Sequence, residues 1–150
     1  MPRARRPKDK EIVFETLYKG EDKYNFKQLS HIFIFAACLG HWRKKRIPFT
    51  NSLEPIDWGV FEEREKEVMR MIALNETNNP GILIENEEKL TEILRICEEF
   101  ANGGLQIIND EIIQKEKQGG DRISLLTDLI IQPSNIGKSS EDIITQMLGE

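Results

Sequence analysis

Four consecutive cations, Arg43-Lys44-Lys45-Arg46, follow His41 and Trp42 directly after the most apolar stretch of the chain, Ile32 to Leu39. Adjacent lysines and arginines on an anchored loop can contact successive phosphates of a polyanion. Trp42 adds a flat face that can stack on a base or cover the core. A second group of cations, Arg3, Arg5 and Arg6 with Lys8 and Lys10, lies at the N-terminus. Residues 1–50 hold 12 Lys and Arg against 5 Asp and Glu, whereas residues 51–150 hold 9 against 21. The first third of the chain therefore suits a nucleic-acid backbone, with Trp42, Arg43, Lys44, Lys45 and Arg46 as the main contact and Arg3, Arg5 and Arg6 as a second. Two other roles stay open for the same cluster: cations beside a helix C-terminus complement its dipole, and the acidic remainder can neutralise them within or between molecules. No recognition-helix signature points to base-specific readout.

Catalytic and metal chemistry find no pattern here. His31 and His41 are ten positions apart, outside any HExxH or zinc-ligand spacing, and there is no EF-hand, Walker, GxGxxG or GxSxG motif. Gly103-Gly104 is too short a glycine run to cradle a phosphate, and Glu62-Glu63, Glu87-Glu88 and Glu98-Glu99 read as solvated helix faces. Cys38 and Cys97 read as buried thiols of a reducing compartment. The expectation is a non-enzymatic protein with no catalytic residue, no metal and no cofactor. It is cytoplasmic, and nucleoid-associated if DNA is bound, because neither a secretory h-region nor a membrane-length apolar run is present.

The elements that must position these residues are helical. A basic, apolar-poor stretch over residues 1–8 reads as a flexible arm, and 9–132 as a single helical domain. Apolar spacing predicts a short helix over Asp9–Lys19 and a central buried helix over Phe26–Leu39, capped by Asn25 and by Gly40 at C′. The run Ile32 to Phe35 is also compatible with a short strand. A third helix is expected from near Asp57 to the break at Asn78-Asn79-Pro80-Gly81, and a long one from Asn86 towards Lys117, with a kink or break at Gly103-Gly104. A shorter helix over Arg122–Ile131 follows. Residues 133–150 read as a linker and an amphipathic helix whose Ile143, Ile144, Met147 and Leu148 can bind a partner. The stripe from Leu90 to Ile112 faces either the core or a second copy in a homodimer. The fold class is thus all-α, a compact bundle of about five to six helices around the 26–39 helix.

Four blocks in order, FIFAACLG from Phe33, RKKRIPF from Arg43, MIAL from Met71 with Glu76-Thr77, and FANGGL from Phe100 after Glu98-Glu99, resemble the bacterial DNA phosphorothioation-associated protein 4 family, also called Dnd system-associated protein 4. The resemblance covers roughly residues 9–115. It implies an accessory role in a DNA-modification-linked, restriction-type antiviral defence system, with other components of that system as partners. It supplies no reaction and no catalytic residues; a small nuclease or toxin, favoured only by the defence setting, ranks last because no clustered Asp, Glu, His and Lys pattern offers a metal site.

Overall fold

The computed structural model describes residues 2–19, Tyr24 and 26–131. They fall into two units, one within residues 1–109 and one within 110–150.

The fold is mostly helical, with one small two-stranded sheet. In the first unit, α2 (Leu29–Trp42) carries Ile32, Phe33, Ala36 and Ala37 fully buried, as a helix apolar around most of its surface must. Residues Ile32 to Phe35 are helical rather than a strand. The helix starts at Leu29 rather than Phe26 and runs past Gly40 to Trp42. The proposed cap Asn25 lies outside the described residues.

α4 (Glu87–Ile108) begins at Asn86, whose side chain accepts from the Lys89 N–H at 2.7 Å. It passes through Gly103-Gly104 without a break. The glycines serve close approach rather than a kink. A Cβ on Gly104 would lie 1.8 Å from the Ala36 carbonyl oxygen, and one on Gly40 would lie 1.9 Å from that of Phe100. Backbone therefore meets backbone from both sides of the α2/α4 crossing. Gly40, expected as the end of α2, is a crossing residue instead. The stripe Leu94, Cys97, Ala101 and Leu105 is buried within this unit, so it faces the chain's own core.

Residues 3–7, expected as part of a mobile arm, form β1 (Arg3–Pro7), antiparallel to β2 (Ser52–Asp57). The register pairs Ala4 with Ile56 and Pro7 with Ser52 and is irregular between Ala4 and Arg6. Only Ala4 and Pro7 of β1 are buried, too little apolar content to signal a strand. On α1 (Glu11–Lys19), Val13, Phe14 and Leu17 point inward and Ile12 is exposed. α3 (Glu63–Thr77) starts six residues later than expected, because residues 52–57 are committed to β2. A Glu62–Glu65 capping box opens it, and Asn78 at φ 52° closes it.

A π turn, Asn109–Ile113, follows α4. The second unit holds α5 (Gln114–Lys117) and α6 (Arg122–Ile131), tied by an Arg122–Glu116 ion pair at 3.1 Å. The expected C-terminal helix with Ile143, Ile144, Met147 and Leu148 lies outside the described residues. Among the described residues no helix is long and apolar enough to cross a membrane.

Candidate nucleic-acid interface

The basic cluster is the C-terminal turn of α2 and the loop beyond it. Arg43 is the C-cap, and Lys44 follows in the left-handed conformation at φ 55°. The Lys45 N–H donates to the Gly40 carbonyl at 2.8 Å and the Lys44 N–H to that of His41 at 3.2 Å. This pair of bonds is the Schellman motif, in which the left-handed C′ position is usually glycine. Here it is occupied by lysine.

The loop is then fastened to α4. The Ile47 N–H donates to the Glu99 carbonyl at 3.0 Å, and the Asn102 amide nitrogen donates to the Ile47 carbonyl at 3.1 Å. Gly103 admits this contact, since a Cβ there would meet the Lys45 carbonyl oxygen at 1.8 Å. The blocks containing FAACLG, RKKRIPF and EEFANGGL are thus three faces of one packed joint.

Two carboxylates expected to be solvated are buried in that joint. Glu98, only 3 % exposed, accepts from the Arg5 N–H at 2.7 Å and from the Arg5 guanidinium through Nε and Nη2, both at 3.0 Å. Burial pushes its carboxyl above the ordinary range, outweighing the opposing pull of Arg5. Glu99 accepts from Arg46 Nε at 2.7 Å, and Arg46 Nη1 also reaches Glu76 at 3.1 Å. The Arg46 guanidinium carbon stands 5.6 Å from the centre of the Phe100 ring.

The predicted contact residues therefore separate. Arg46 and Arg5 are held by α4 carboxylates. Arg6 donates to the Glu54 carbonyl at 2.8 Å and lies over Phe14, and burial lowers its pKa despite Glu54 and Glu11. Arg3 pairs with Asp57 at 2.8 Å with both side chains about half exposed. Lys44 and Trp42 are exposed, while Arg43 and Lys45 are half-buried. Beside them opens a cleft of about 460 Å³ lined by His41, Trp42, Lys44, Arg46, Asn75 and Glu76. Phe100 completes its lining, and the His41 ring meets Phe100 edge-on at 5.2 Å.

Away from this face, ligand atoms of His31, Glu62 and Glu65 lie within 4.8 Å of one another. Both carboxylates already serve the capping box of α3, and His31 Nε2 is 3.9 Å from Glu62. Cys38 is exposed rather than buried. Cys97 is buried with its thiol directed to the Met69 carbonyl at 3.5 Å, and burial pushes its pKa up, away from thiolate chemistry.

The residues that position the loop, Glu98, Glu99, Asn102, Gly103 and Gly104, were not recognised as such from sequence. One signal existed: Glu98 and Asn102 recur with Leu94 and Leu105 at helical spacing, so both carry polar groups onto a core face.

No curated protein and no solved structure matches the chain. The sequence model of the DNA sulphur modification system-associated protein 4 family matches residues 3–144, further in both directions than the four blocks alone indicated. Since that match takes in nearly the whole chain, the protein belongs to the DNA sulphur modification system-associated protein 4 family.

Proposed function

We propose that this protein is a non-catalytic accessory component of a DNA sulphur modification system that holds the DNA backbone through the turn at Trp42 to Lys45. The observation that carries this reading is the Schellman turn, which keeps Lys44 exposed on a loop bonded to the α2/α4 core. Lys44, Lys45 and Arg43 take the phosphates. Arg46 and Arg5 are engaged by Glu99 and Glu98, and Arg6 and Arg3 by Glu54 and Asp57, so they are left out of the primary contact.

Three phosphate contacts give a slope of log affinity on log salt of about −2.7, so duplex affinity falls about 40-fold between 50 and 200 mM salt. The discriminating variant is Lys44→Glu with Lys45→Glu, which spares the Arg46 ion pairs. It should remain folded by circular dichroism and lose low-salt binding. Parent protein that binds no duplex at low salt refutes the reading.

A protein adaptor is the second reading, favoured by Met71, 62 % exposed in a groove with Val68 and Leu74 on α3. The segment with Ile143, Ile144, Met147 and Leu148 belongs to the same reading. Capture of other system components that persists without DNA, and is lost in Met71→Glu, supports it.

A further inference from the structure

Resting on the DNA-contact reading, we infer that the cleft beside the basic turn takes a single unpaired base bearing an exocyclic amine, with the adjoining phosphate on Lys44. At about 460 Å³ the cleft lies within the range of small-ligand sites, roughly 300–1,000 Å³. Its chemistry is divided. Trp42, 48 % exposed, provides an aromatic face for stacking. Asn75 offers an amide donor and acceptor, the groups that read a base edge.

Glu76 fixes the orientation. Its carboxylate, bonded to Arg46 through one oxygen, can accept from an exocyclic amino group with the other, so the base edge turns towards it while Lys44 takes the adjoining phosphate. Arg46, held at 3.1 Å from Glu76, keeps that carboxylate in place. Adenine, cytosine and guanine carry the amine and thymine does not.

Lys44 supplies an independent indication. It holds a left-handed backbone conformation, φ 55°, where glycine is free of strain. Strain of this kind gathers where a side chain is used for function. At this position it puts a cation among the cleft-lining residues.

The test compares a plain duplex with the same duplex carrying one unpaired dA or one unpaired dT, in the full chain and in Trp42→Phe, Trp42→Ala and Asn75→Ala. Folding is checked by circular dichroism, and binding is read by anisotropy and by tryptophan quenching. The expected result is about tenfold tighter binding of the dA bulge than of the plain duplex, from stacking together with the amine contact, with the dT bulge in between. Quenching should vanish in Trp42→Phe, since the other tryptophan, Trp58, lines a different pocket with Arg70 and Leu83, and the dA preference should fall in Trp42→Ala and Asn75→Ala. Equal, salt-sensitive affinity for all three duplexes overturns this inference and leaves backbone contact standing. No binding to any of them overturns both.

Discussion

Replacing Gly104 by alanine puts two physical effects in opposition. In an isolated helix the change should stabilise by about 1 kcal/mol, because glycine is a poor residue in a helix interior. Here the added Cβ would lie 1.8 Å from the Ala36 carbonyl oxygen, inside the 3.0 Å that real Cβ contacts essentially never breach. Neither atom belongs to a side chain that can turn away, so α2 and α4 must separate locally by more than about 1 Å, and the contacts around Ala36 and Phe33 loosen with them. Overpacking of this sort costs about 3 kcal/mol at the upper end of its usual range, leaving a net destabilisation of about 2 kcal/mol after the propensity gain. For a chain of this size that lowers Tm by about 8 °C. Gly59 is the internal control, since a Cβ there meets nothing within 4 Å, and Gly59→Ala should change little. Urea unfolding followed by far-UV circular dichroism reads both variants. A Gly104→Ala midpoint equal to or above that of the parent would refute the backbone-to-backbone crossing.

Three further outcomes follow from the same joint. Arg46→Ala should destabilise by about 2–3 kcal/mol, because it strips Glu99 of its closest cation, and Arg46→Ala with Glu99→Gln should recover at least half of that; additive losses in a double-mutant cycle would deny the coupling. Lys44→Gly should raise stability by about 0.5–1 kcal/mol by relieving the left-handed residue while weakening DNA binding, and an unchanged unfolding midpoint would mean that lysine sits there without strain. Glu98 bears on pH: its raised carboxyl contributes stability that is fully present below the unfolded value, about 4.3, and is lost as pH rises through the folded value. Stability of the parent should therefore decline relative to Glu98→Gln across that window, and parallel pH profiles would count against the burial effect.

Much of the helical framework is legible in residue order. The apolar girdle of α2, the break at Asn78 to Gly81 and the start of α4 at Asn86 all follow from side-chain periodicity and turn chemistry within a few residues of each event. The charge asymmetry is equally a local fact. Less legible is anything that needs a distant partner. β1 reads as an arm because its partner is some fifty residues away and only Ala4 and Pro7 turn inward.

The sequence by itself determined that this is a helix-rich chain with cations concentrated beside its most apolar segment. Tertiary structure alone decided which cations turn inward, because a guanidinium such as that of Arg46 settles wherever a buried carboxylate otherwise lacks compensation, and Glu99 lies 53 residues away. It also decided that Gly40, Gly103 and Gly104 are points of backbone contact rather than a cap, a kink or a phosphate cradle. A glycine's missing side chain acquires that meaning only from what occupies the space in which the side chain would have been.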